Sequence, residues 1–270
     1  MGRCFIWGCF FAHIPFHRAM DRGLLISAVA ALVLFRSRIP LEKLWPLQRA
    51  AWWQLLFGYV LAAISAQGMI GFNLAGIGFT RVHLDWHHAG LRILMAVVAA
   101  LLVPPLEETL FRGFIQSELV RSIGQRWGWI AAAVIFMLAH FVKVPVELDH
   151  QPVHFWSGVS AVGAAFQPVI NGEFLGGKGL NLFLVGLILG GIFLRSGSLW
   201  LNAGLHGGWI LALLLFTGFT RPFDSPNVEW MGTDLLSSPL TAVVLILLGL
   251  WLWRFYQPHS VVPETGENAP

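Results

Sequence analysis

The sequence predicts an all-α fold: a polytopic bundle of about seven to eight transmembrane helices. Three observations predict it. Of 270 residues, 56% are hydrophobic and only 11% are charged, whereas a soluble globular domain carries about 25% charged residues. The mean hydropathy is +0.69. Apolar runs also recur at lengths near the roughly 20 residues that carry a helix across a bilayer. Many of the 13 tryptophans sit where these runs begin or end. Trp52, Trp53, Trp127, Trp129, Trp200, Trp251 and Trp253 suit the headgroup level, where amphipathic rings collect.

Taken in order, residues 4–16 and 23–35 are short apolar runs that read as two short helices or one hairpin. Full spans are expected at 52–72, 91–106, 127–142, 180–195, 198–218 and 239–256. The connection 143–179 is rich in Gly, Pro and His, and its stretch FWSGVSAVGAAF is expected to dip back toward the membrane. The tail is polar and Pro-rich and too poor in apolar side chains to fold. The chain therefore divides into N-terminal membrane helices (1–90), a core (91–218), an extra loop with the last helix (219–256) and a disordered tail (257–270).

Basic residues set the orientation. From residue 36 onward, Arg36, Arg38, Lys43, Arg49, Arg112, Arg121, Arg126, Arg195 and Arg254 fall on one side. Arg81, Lys143, Lys178 and Arg221 fall on the other, with Arg92 at a boundary. The first side is the cytoplasmic one. The net charge of +3 is small and sits in short loops, so no nucleic-acid partner is expected. Cys4 and Cys9 make neither a metal-ligand spacing nor a disulfide framework. The start MGRCFI lacks the Ser or Thr of a myristoylation signal. No signal-peptide cleavage pattern stands out, so the first apolar run is expected to stay attached.

Against this background, PPLEETLFRG (104–113) is out of place. An ionisable group at membrane depth costs about 2.5–3.5 kcal/mol on insertion scales, so such groups tend to face inward and to have partners. Glu107 and Glu108 are adjacent and lie about 100° apart on a helix. Arg112 is four residues after Glu108, the spacing and order of a helical salt bridge. One glutamate is then structural and the other is free for chemistry. Pro104 and Pro105 remove backbone donors and bend or restart the helix beside them. The competing reading puts the whole cluster in solvent at the cytoplasmic interface.

His140 ends an apolar helix in FMLAH. Alone, it reads as a core histidine bonded to a carbonyl. Asn202 and His206 are four residues apart on one helix face, and Gly204, Gly207 and Gly208 let another helix come close. For Asn202 alone, interhelical hydrogen bonding is the favoured reading. His13, His17, His83, His87, His88, His150 and His154 have no partner of fixed geometry, although HLDWHH could bind a metal adventitiously.

EETLFR, FMLAH and a histidine after a SLW turn follow one another within one multi-spanning chain. In this order they are similar to the CPBP family of intramembrane proteases. That family includes the CAAX prenyl endopeptidases and bacteriocin-processing or immunity proteins (Abi). The resemblance covers about 95–215. It implies hydrolysis of a peptide bond inside a bilayer cavity by a glutamic mechanism. By that likeness Glu107 is the general base, His140 holds the water, Glu108 and Arg112 shape the site, and His206 stabilises the oxyanion. The family's third motif, His-x-x-x-Asn, is broken here, because HGGWI puts Ile210 where Asn is expected. Losing one oxyanion donor costs about 2.7–4 kcal/mol, and Asn202 is the candidate substitute.

The expected function is an intramembrane endopeptidase acting on a membrane protein or peptide, embedded in a lipid bilayer. Its expected place is the inner (plasma) membrane of a bacterium. No cofactor is expected. A zinc hydrolase using Glu107, His140 and His206 is the less favoured alternative, since the ligand types fit but no HExxH-type spacing is present. Other readings are a catalytically silent immunity or binding protein, favoured by Ile210, and a transporter, which lacks the paired broken helices of inverted repeats.

Overall fold

The computed structural model describes residues 41–47, 49–72, 80–83, 86–145, 155–222 and 234–256. Its helices are α1 (Leu41–Leu44), α2 (Arg49–Phe72), α3 (Trp86–Glu108), α4 (Ser117–Ile123), α5 (Gln125–Ala139), α6 (Ser157–Ala165), α7 (Gln167–Ile170), α8 (Gly177–Ser196), α9 (Trp200–Phe219) and α10 (Pro239–Phe255). A π-helical segment, Thr109–Gln116, joins α3 to α4, and a 3-10 turn, Glu173–Leu175, precedes α8. Strands β1 (Thr80–Val82) and β2 (Thr220–Pro222) form a short antiparallel pair with Arg81 opposite Arg221. The protein is a helical membrane bundle.

Among the described residues, four stretches are long and apolar enough to cross a membrane: Ala51–Gly71, Ala89–Ile123, Gly177–Ser196 and Trp200–Phe219. Gln125–Ala139 and Pro239–Phe255 are shorter apolar helices. These six match the six spans expected within the described residues. The runs at 4–16 and 23–35 and the tail from 257 lie outside those residues. So do His13, His17, His150 and His154. The stretch FWSGVSAVGAAF becomes α6, whose nine residues are too few to cross.

α9 is central, packed against α2 and α3. Small residues let it approach α2 at backbone distance. A Cβ on Gly58 would lie 2.5 Å from the Leu205 nitrogen, and one on Gly204 would overlap the Leu55 carbonyl. Where lipid competes equally for apolar surface, close backbone packing of this kind holds helices together. Leu61 and Ala62 of α2, Leu189 and Ile192 of α8, Leu201 and Leu205 of α9, and Leu252 of α10 form the main buried cluster.

The prolines have a local consequence. Pro104 has no N–H, so the Ala100 carbonyl loses its helical donor. The Tyr59 hydroxyl of α2 donates to that carbonyl at 2.9 Å. The helix does not restart after Pro105. It continues into the π-helical turn, whose first hydroxyl, Thr109, donates back to the Pro105 carbonyl at 2.6 Å. Such π segments are rare and are found at functional sites.

One basic residue counted on the cytoplasmic side, Arg112, lies elsewhere. Arg112 is not a loop charge, because it lies inside the bundle with 2% exposure. Its carboxylate partner, described below, takes it out of the cytoplasmic count. The opposing ends of the bundle carry other arginines. Arg92 donates to the Gly218 carbonyl at the end of α9, and Arg195 donates to the Trp253 carbonyl at the end of α10. Both place a cation on helix C-terminal carbonyls, where the helix dipole favours it.

Candidate active site

Glu107 and Glu108 leave α3 in different directions, as adjacent helical residues must. Glu108 is fully buried and points at α9. Its Oε2 sits 3.3 Å from Arg112 Nε and accepts from Asn202 Nδ2 at 3.1 Å. Its Oε1 accepts from His206 Nδ1 at 2.8 Å. One carboxylate thus binds the π segment to two positions on α9. The Arg112 guanidinium also lies 4.3 Å above the Phe136 ring of α5. A buried charge is tolerated only with such compensation.

Glu107 turns the other way. Its Oε2 is 3.8 Å from His206 Nε2 and 4.0 Å from His140 Nε2. Those separations are too long for direct hydrogen bonds but short enough for one water to touch all three groups. His140 is held by its other nitrogen, which donates to the Phe136 carbonyl at 2.8 Å. Both imidazoles therefore spend Nδ1–H on a fixed acceptor and present Nε2 to Glu107. Phe136 forms the floor, its ring centroid 4.4 Å from that of His140 and 6.0 Å from that of His206.

The three groups open into a cavity of about 200 Å³ between α2, α3, α5, α8, α9 and α10. Among the described residues Glu107, His140 and His206 are its ionisable lining, and the remaining wall is mostly apolar, including Met69, Trp209, Ile210 and Leu213. The arrangement can hold and polarise a water beside an apolar chain. Glu107 Oε2 is buried and has no hydrogen-bond partner among the described residues, as such a water-binding atom would.

Of the six expected site residues, Glu107, His140 and His206 meet at the cavity. Glu108 and Arg112 stand behind them. Asn202, the expected substitute oxyanion donor, is placed behind the cavity wall. It is fully buried, and its amide donates to Glu108 and, at 2.7 Å, to the Leu189 carbonyl of α8. Both amide hydrogens are consumed, and Asn202 does not line the cavity. Ile210 does line it, so an apolar side chain occupies the wall where a donor was expected.

Two supporting residues had escaped the sequence reading. Gln116 of the π segment is 1% exposed and donates to the Gly190 carbonyl at 3.0 Å, fixing the segment against α8. Its only signal was a polar residue in an apolar run. Trp45 donates to Thr109 at 3.1 Å from outside the motifs altogether.

Among the described residues no group of three or more His, Cys, Asp or Glu is arranged to hold a metal ion.

Residues 89–212 match the family model described as type II CAAX prenyl endopeptidase Rce1-like. No curated protein and no solved structure matches the chain. The matched segment contains Glu107, Glu108, Arg112, His140, Asn202 and His206. Over residues 89–212 the chain is therefore similar to the Rce1-like family of type II CAAX prenyl endopeptidases, consistent with its resemblance to the CPBP group.

Proposed function

We propose that this protein is an intramembrane endopeptidase that hydrolyses a peptide bond of a membrane-associated protein or peptide with water activated by Glu107. The observation that carries the reading is the meeting of one carboxylate and two imidazole Nε2 atoms at an apolar cavity within the bundle. Water held there gives a proton to Glu107 and its oxygen attacks the scissile carbonyl carbon. The C–N bond then breaks, and the proton passes from Glu107 to the leaving nitrogen. General-base help of this kind contributes about 10²–10⁴-fold.

His140 positions the water. His206 faces the carbonyl oxygen as negative charge develops there. In that role its ring is the imidazolium, with Nδ1–H donated to Glu108 and Nε2–H to the oxyanion. Glu108, Arg112 and Asn202 hold His206 and the π segment in register. We place the protein in the plasma membrane of a bacterium, on its short loops and small size. The three ionisable groups and the apolar cavity wall suit an extended, uncharged segment of a membrane-bound substrate.

One observation favours a second reading, a silent protein that keeps the fold for binding or immunity. Ile210 occupies the expected donor position, and Asn202 is committed elsewhere. The deciding experiment incubates wild type and Glu107→Gln with a candidate membrane substrate, with and without a chelator. Cleavage that survives chelation and disappears in Glu107→Gln is the expected result. Cleavage abolished by chelator would replace this mechanism with a metal-dependent one. Absence of turnover across a panel of membrane peptides would leave the silent protein as the reading.

A further inference from the structure

A second cavity, of about 290 Å³, lies away from the catalytic groups between α5, α8 and α10. Its wall runs along α8 from Leu184 to Arg195 and along α10 from Leu245 to Tyr256. The eleven rises of 1.5 Å between the first and last of these residues make a groove about 17 Å long. That is close to half of the roughly 30 Å hydrocarbon core, the depth of one leaflet. Gly191 and Gly249 hollow its middle. A Cβ on Gly249 would come within 3.3 Å of the Ile188 side chain across the groove.

The two ends differ. The deep end is aliphatic. The other end holds Arg195, Trp253, Trp129 and Tyr256. Trp129 and Trp253 stack with planes 5° apart, and the Arg195 guanidinium lies 4.1 Å from the Trp253 ring centroid. Among the described residues Arg195 caps α10 through Nη1, donating to the Leu252, Trp253 and Tyr256 carbonyls at 3.4, 2.8 and 3.1 Å. Among the described residues no carboxylate pairs with it, and no acidic side chain lines the groove. Among the described residues Nη2 and Nε thus remain for an anion. Aromatic rings with an arginine mark the headgroup level of a bilayer, and basic pockets between membrane helices take anionic lipid heads.

From the leaflet-long apolar channel and the acid-free arginine at its mouth, we infer that this groove is a binding site for an anionic phospholipid. One acyl chain lies along α8 and α10, and the phosphate sits on Arg195. The site bears on the catalytic centre through α8. The same helix supplies the Leu189 carbonyl to Asn202 and the Gly190 carbonyl to Gln116. The inference does not depend on the protease reading, because binding is measured directly.

The test is native mass spectrometry of the delipidated full chain, titrated with phosphatidylglycerol or phosphatidylcholine of identical acyl chains. One phosphatidylglycerol is expected to be retained about tenfold more tightly than phosphatidylcholine. Arg195→Gln should abolish that preference. Gly249→Leu should remove retention of both lipids by filling the channel. It leaves the α10 cap intact, so it carries the test by itself if Arg195→Gln does not fold. Equal retention of the two lipids by wild type, or retention unchanged in Gly249→Leu, overturns the proposal. So does a preference that persists in folded Arg195→Gln.

Discussion

Glu108 and His206 stand 98 positions apart in the chain and share a 2.8 Å hydrogen bond inside the bundle. That bond fixes which nitrogen of His206 faces the cavity. It divides the adjacent glutamates into one that holds the site together and one that faces the substrate space.

The first expectation concerns Glu107. Glu107→Gln keeps the size of the side chain and removes its basicity. Cleavage of a membrane substrate should fall by about 10²–10⁴-fold, while the melting temperature of the purified protein stays within a degree or two of wild type. A variant that melts early would mean that Glu107 has a structural role instead.

Glu108 and Arg112 should behave in the opposite way. Both are buried, and removing one member leaves the other uncompensated. Either Glu108→Gln or Arg112→Met should cost about 3–5 kcal/mol, read as a lower melting temperature in detergent. The double variant should cost less than the sum of the two singles. Additive losses would show that the pair is not coupled.

Asn202→Ala removes a bond to a carboxylate and a bond to a carbonyl. Bonds to charged groups contribute about 1.5–3 kcal/mol each. Stability should drop by an amount in that range, and activity should fall with it. Unchanged melting together with lost turnover would instead return Asn202 to the role of oxyanion donor.

Ile210→Asn restores an amide in the cavity wall. One oxyanion donor is worth about 10²–10³ in turnover. The variant is expected to cleave at least tenfold faster than wild type at saturating substrate. A rate that does not rise would mean that another group already fills that role.

Gly58→Leu tests the scaffold. Its Cβ would meet the α9 backbone at 2.5 Å, where nothing flexible can yield. The variant should fail to accumulate in the membrane or should melt far below wild type, whereas Gly71→Leu, with open space around it, should not.

Much of this protein was legible from local chemistry. The shortage of charge made it a membrane protein, and runs of apolar residues located the spans. α2, α8, α9 and α10 follow the expected bounds because helix formation in lipid is dictated by length and apolarity, which are properties of a segment. The pairing of Glu108 with Arg112 was also local, since four residues separate them on one helix. The expectation that the prolines bend or restart the helix was incomplete, because the chain runs on as a π-helical segment supported by Tyr59 of α2 and by the Gln116 bond to α8.

What the sequence alone determined was therefore the kind of environment, the places of the helices and the set of unusual polar groups. Tertiary structure decided the rest: that Glu107, His140 and His206 meet at one cavity, that Asn202 turns toward Glu108 rather than into it, and that Arg112 is interior. The reason is physical. Hydrophobicity sets whether a helix forms, but the rotation and depth of that helix are set by its neighbours. Here they are set by the glycine contact of α2 with α9 and by the buried carboxylate that joins α3 to α9.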